Sequence, residues 1–195
     1  MVYINLVAIF TVLIFISAYI ALRTCYKTRL KTYKIPKLTN HMLLALLFGA
    51  AFLIRLICAF KFSGHSDLEC FEYWAKTVYD NGPSGFYKAA SFADYPPGYM
   101  YVLWVLEAIK RLFKIEHGSH MAGIIIKSVP VLFDLLTGCV LYKIAKKRYS
   151  DMVSFVVAGV YLFNPVVILN SAVWGQVDSV FFLGIMLTCY YATTK

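Results

Sequence analysis

"HMLLALLFGAAFLIRLICAF", residues 41–60, decides the fold class, because Arg55 is its only Asp, Glu, Lys or Arg. Twenty helical residues cover about 30 Å, the thickness of a bilayer's hydrocarbon core. The stretch therefore reads as a transmembrane helix. An arginine inside such a helix is costly against lipid, so Arg55 should face protein or a cavity. The chain as a whole agrees: 61% of its 195 residues are hydrophobic, 15% are charged, and mean hydropathy is +0.69. That is more apolar than one soluble core of this size would be.

Upstream, "RTCYKTRLKTYKIPK" (23–37) carries Arg23, Lys27, Arg29, Lys31, Lys34 and Lys37 with no acid, which the positive-inside rule assigns to the cytoplasm. Before it, Tyr3 to Leu22 holds no Asp, Glu, Lys, Arg or His and is long enough to span. No basic residue precedes it and no small-residue cleavage pattern follows, so it reads as a signal anchor rather than a removable signal peptide. Residues 1–40 are thus an extra anchor with a basic linker, and 41–195 a membrane module. The excess of 19 Lys and Arg over 10 Asp and Glu is clustered between apolar runs; it speaks for topology and against a nucleic-acid partner. The five cysteines lie far apart with no CxxC pair, which supports neither a metal site nor a disulfide framework.

Downstream, residues 63–97 hold Asp67, Glu69, Glu72, Asp80 and Asp94 against Lys76 and Lys88, a net acidic passage suited to an external loop. Gly98 to Ile115 is apolar for only half its length and reads as an amphipathic, non-spanning helix. Met121 to Tyr142 spans inward, which places Lys143, Lys146, Lys147 and Arg148 in the cytoplasm. "MVSFVVAGVYLFNPVVIL" (152–169) returns outward, with Asn164 and Pro165 kinking it, and a last helix runs from about Ser179 to Tyr191. The expected fold is all-α, a polytopic transmembrane helix bundle whose external loop contains amphipathic helices.

Three polar stretches lie at the external ends. "SDLECFEYWAKTV" (66–78) is an amphipathic helix with Leu68, Phe71, Ala75 and Val78 on one face and a Glu72–Lys76 pair on the other. Ser66 and Glu69 form a capping box. Asp67 in the first turn is favoured by the helix dipole whatever its role; a carboxylate there is also what a proton-accepting base needs. In "DYPPGY" (94–99), Pro96 holds Tyr95 extended and Pro97 starts a helix. "NSAVWGQVDS" (170–179) packs Asn170, Trp174, Gln176 and Asp178 between apolar runs, either as an ordinary interfacial loop or as part of a site. Lys127 and Asp134 share a helix face two turns apart, to pair through a third group or to line a cavity.

The order "HSD" (65–67), "DYPPGY" (94–99), "NP" (164–165) and "WGQVDS" (174–179) resembles integral-membrane glycosyltransferases of the GT-C class, above all the bacterial relatives of the second GPI mannosyltransferase. The likeness runs from about Leu43 onward. It implies transfer of a hexose, mannose in those relatives, from a polyprenyl-phosphate donor to an acceptor hydroxyl on the non-cytoplasmic face of a bacterial plasma membrane or an endoplasmic reticulum membrane, with inversion and without a cofactor. Asp67 matches that family's catalytic base. Substrate contacts are expected from His65, Arg55, Asp94, Tyr95, Trp174, Gln176 and Asp178. Leu68 stands where some relatives carry a second acid, so no metal is expected there. Members of the family have further helices and a second large external loop, so the expectation is of an amino-terminal portion: a fragment, a truncated product, or one part of an enzyme completed by a second polypeptide. The alternative from another class is a non-catalytic membrane assembly or scaffold protein in which Ser66, Asp67 and Glu69 only cap a helix.

Overall fold

The computed structural model describes residues 37–62 and 66–193. The anchor at Tyr3 to Leu22, most of the basic linker, and His65 lie outside the described residues. Among the described residues every regular element is helical. They are α1 (Lys37–Lys61), α2 (Ser66–Ala89), α3 (Pro97–Leu112), α4 (His120–Lys146), α5 (Asp151–Leu162), the short α6 (Pro165–Ile168), a π-helical segment (Leu169–Trp174) and α7 (Asp178–Thr193).

Two of these helices are long and apolar enough to cross a membrane, over Thr39–Lys61 and His120–Lys146. They become three if α5 and the α6–π segment, bent by 47° at their junction, form one span. The helix α4 is the hub, touching α1, α2, α3, α5, the π segment and α7. It runs antiparallel to α1, as three contacts in sequence show. His120 Nε2 lies 2.8 Å from the Phe60 carbonyl, Arg55 Nε donates to Asp134 Oδ2 at 3.0 Å, and Tyr142 OH donates to Asn40 Oδ1 at 3.1 Å. The helix starts where Ser119 accepts a hydrogen bond from the Ala122 N–H, and α5 starts in the same way at Ser150. Where α4 crosses α5, a Cβ on Gly138 would lie 2.7 Å from Leu162 Cδ2, so glycine sets how closely these two helices approach.

The expected external loop is a packed helical hairpin. Leu68, Phe71, Ala75 and Val78 are all buried, as their spacing requires. They join Trp74, Tyr99, Met100, Leu103, Leu106 and Ile126 in the main apolar core, shared by α2, α3 and α4. The helix α2 runs past the expected end and breaks at Gly82 (φ 70°, ψ 160°), before Pro83. The sixteen residues of α3 cover about 24 Å, short of a bilayer core.

Two local expectations are corrected. Lys76 pairs with Asp80 at 2.8 Å, not with Glu72. Glu72 is buried instead and accepts the Gly118 N–H at 2.8 Å, with His117 Nδ1 at 3.3 Å and Lys110 Nζ at 3.8 Å. An inward-facing carboxylate that reaches a backbone N–H and cations across the hairpin gains more than one exposed i,i+4 pair offers. The second correction is at Asn164 and Pro165, where the helix is interrupted rather than kinked. Asn164 adopts an extended ψ of 120° and its side chain accepts the Val166 N–H at 2.9 Å, capping a new helix with Pro165 at its first position. The capture of that N–H frees the Leu162 carbonyl, which Arg55 Nη1 takes at 2.8 Å.

Candidate functional site

Asp67 stands in the first turn of α2, and the helix period puts Cys70, Phe71 and Trp74 on its face. Across from it runs the 94–96 joint. Pro96 lies at φ −70°, ψ 159° and Pro97 opens α3, so the joint is extended and then rigidly helical. The Tyr95 carbonyl accepts from Tyr87 OH at 2.8 Å. The Tyr95 ring meets Phe71 edge-on at 5.4 Å and Trp74 at 5.5 Å. Trp74 Nε1 in turn donates to the Phe92 carbonyl at 2.7 Å, which holds the chain before Asp94 against α2.

The third wall comes from the end of the π segment. Gly175 is left-handed, at φ 78° and ψ 19°. A Cβ there would lie 2.9 Å from Leu68 Cδ1 and 3.2 Å from Lys127 Cγ. Only glycine meets both conditions without strain. The chain then reverses, the Gln176 N–H donates to the Asn170 carbonyl at 3.0 Å, and the Gln176 side chain enters the cleft. Its Nε2 donates to Asp67 Oδ2, and its Oε1 accepts from Tyr95 OH at 3.3 Å. Asp67, Tyr95 and Gln176 thus form one hydrogen-bonded set lining a cleft of about 160 Å³, together with Trp74, Phe92 and Asp94.

Burial pushes the Tyr95 phenol above its ordinary value, and the carboxylates of Asp178, Asp94 and Asp67 push it further. The phenol therefore stays a hydrogen-bond donor. Among the described residues no lysine or arginine lines the cleft. What the site offers is a carboxylate that accepts protons, an amide that both donates and accepts, a phenol that donates, and aromatic walls. This inventory suits a polyhydroxylated ring. The cleft is well below the roughly 300–1,000 Å³ of drug-sized pockets, so it has room for a single ring.

The structure brings Asp67, Asp94, Tyr95 and Gln176 into this cleft. Asp178 stands close by at the start of α7, accepting from Asn170 Nδ2 at 3.1 Å. Trp174 is 43% exposed and does not line the cleft. Arg55 lies in the helix bundle, fully buried, with Nε on Asp134 and Nη1 on the carbonyls of Ala51 and Leu162. Asp134 also accepts from Ser171 Oγ at 2.6 Å and Tyr161 OH at 3.2 Å. Asp134 thus answers Arg55 rather than Lys127, whose Nζ donates to the Phe62 carbonyl, and the cluster holds the interrupted helix against α1 and α4. Cys70, Phe71, Trp74 and Phe92 were not foreseen as cleft residues. Positions three, four and seven after Asp67 carried a signal for the first three; nothing local pointed to Phe92. No protein-family model, curated protein or solved structure matches this chain.

Proposed function

We propose that the chain is a polytopic membrane protein and the glycosyl-transfer portion of an enzyme of the GT-C kind. It would move a hexose from a polyprenyl-phosphate carrier to an acceptor hydroxyl at the non-cytoplasmic membrane face. One observation carries the reading: three of the four stretches on which the resemblance rests, around Asp67, Tyr95 and Gln176, converge on one cleft although up to 109 residues separate them. In this reading Asp67 takes the proton of the acceptor hydroxyl as that oxygen attacks the anomeric carbon from the face opposite the phosphate. The bond from the anomeric carbon to phosphate oxygen breaks, and the polyprenyl phosphate leaves as an anion. Gln176 orients the carboxylate, and Tyr95 orients Gln176. The donor brings its own leaving group, so no step calls for a nucleotide.

The test is transfer from a synthetic polyprenyl-phosphate hexose by membranes containing the complete protein. Asp67→Asn should lower transfer by about 10²–10⁴-fold, the usual contribution of a general base, with expression and membrane insertion unchanged. Undiminished transfer would remove Asp67 from the mechanism. The scaffold reading also has an observation in its favour, since Asp67 already holds Gln176 and so latches α2 to the turn before α7. It predicts instead that Asp67→Asn leaves every transfer readout unmoved and that Asp67→Ala lowers only thermal stability.

A further inference from the structure

By the standard of a helix in water, α3 is turned inside out. Its inner face buries Glu107 and Lys110 beside Tyr99, Leu103 and Leu106. Its outer face presents Tyr101, Trp104, Val105, Ile109 and Leu112, which recur at i, i+3, i+4, i+8 and i+11 and are all exposed. A helix on a water-facing surface shows the opposite arrangement, with charge outward and the apolar stripe on the core. The inward charges are matched: Lys110 Nζ lies 2.9 Å from Glu107 Oε2 and 3.8 Å from Glu72 Oε2. Arg111, at the border of the stripe, is drawn back toward α2. Its Nε donates to Glu107 Oε1 at 3.1 Å, its Nη2 donates to Asp80 Oδ1 at 2.5 Å, and its guanidinium lies 4.2 Å from the centre of the Tyr79 ring. Both cations of the last turn are thus spent on acids at the α2–α3 seam, and the outward stripe carries no Asp, Glu, Lys or Arg.

A large exposed apolar face marks contact with protein or membrane, and here chemistry and position choose the membrane. A protein interface carries about one hydrogen bond per 100–200 Å², yet the only polar atoms in the stripe are the tips of Tyr101 and Trp104, the side chains that settle at headgroup level. The stripe also ends beside the two helices long and apolar enough to span. His120 Nε2, 2.8 Å from the Phe60 carbonyl, ties the start of α4 to the end of α1, and Phe60, Phe62 and Met121 are exposed there. Residues 113–119 alone separate α3 from α4, and the two helices pack together. We infer that lipid covers the stripe, with α3 held in the leaflet at the Phe60–His120 end of α1 and α4 without crossing the bilayer. Because α3 opens at Pro97, two residues after Tyr95, this contact holds the cleft at the bilayer surface. The inference rests on the membrane reading above and not on transfer at Asp67.

The experiment uses the full, unsubstituted chain in phosphatidylcholine vesicles doped with one of two photoactivatable phosphatidylcholines, carrying a diazirine either close to the head or at the end of an acyl chain. Labelled residues are mapped by mass spectrometry. The head-proximal probe should label the stripe about tenfold more than Tyr99, Met100, Leu103 and Leu106, following exposures of 38–76% against 0–7%. The chain-end probe should label Leu132, exposed on α4, and spare the stripe. An unlabelled stripe beside a labelled Leu132 overturns the proposal, whether a second copy, the segment Tyr3 to Leu22 or water covers α3. Labelling of Val105 by the chain-end probe as strong as that of Leu132 overturns it by making α3 a span. Absence of label from both the stripe and Leu132 defeats the membrane reading itself, and the inference with it.

Discussion

Replacing Gly175 by alanine should unfold the turn that delivers Gln176 to Asp67, and the size of the effect follows from two separable terms. At φ 78° and ψ 19° the backbone is left-handed, which costs a Cβ-bearing residue about 1–2 kcal/mol. The new methyl would also stand 2.9 Å from Leu68 Cδ1 and 3.2 Å from Lys127 Cγ. Both neighbours are buried, so neither moves away freely, and overpacking of this kind costs about 1–3 kcal/mol. Against these terms stands a gain of about 0.4–1 kcal/mol from the stiffer unfolded chain. The net expectation is a loss of about 2–4 kcal/mol, measured by unfolding the purified protein in mixed micelles of rising dodecyl sulfate content and following helicity by circular dichroism. Leu68→Ala made together with Gly175→Ala removes the closer clash but not the backbone strain. The double variant should therefore recover about 1–2 kcal/mol relative to the sum of the single changes. Additive single changes, or a Gly175→Ala protein within about 0.5 kcal/mol of the parent, would refute the claim that this glycine is required by φ and by contact.

Arg55→Met strands the Asp134 carboxylate in the bundle and should cost about 3–5 kcal/mol in the same unfolding assay, whereas Arg55→Met with Asp134→Leu should recover most of that loss. Glu72→Ala removes the acceptor of the Gly118 N–H; a loss of about 1–3 kcal/mol and faster proteolysis between α3 and α4 are expected. Tyr95 has its folded-state value raised above the ordinary 10.0, so its contribution to stability is complete below that pH and is lost as pH rises through the folded value. The fall in melting temperature between about pH 9 and pH 11 should accordingly be smaller in Tyr95→Phe than in the parent.

The helices themselves were legible in the amino-acid order, because hydropathy and the 3.6-residue period are local properties. The run at residues 41–60 announces α1, the spacing of Leu68, Phe71, Ala75 and Val78 announces the buried face of α2, and Pro97 announces the start of α3. Asp67, Tyr95 and Gln176 could each be picked out as polar groups at the ends of apolar runs. Their assembly could not. Whether Glu72 turns outward to Lys76 or inward to Gly118 depends on α3 and the turn after it lying alongside, and no i,i+4 rule contains that information. The same holds at Asn164, where a kink and a capped restart are equally compatible with an Asn-Pro pair until Arg55, brought from another helix, takes the freed Leu162 carbonyl. The sequence by itself determined an all-helical, lipid-compatible chain and the residues able to do chemistry. Only the tertiary structure decided that Gly175, pressed between Leu68 and Lys127, turns Gln176 onto Asp67, and that Arg55 belongs to the bundle rather than the cleft. Contacts across 109 residues are selected by packing, which no local period encodes.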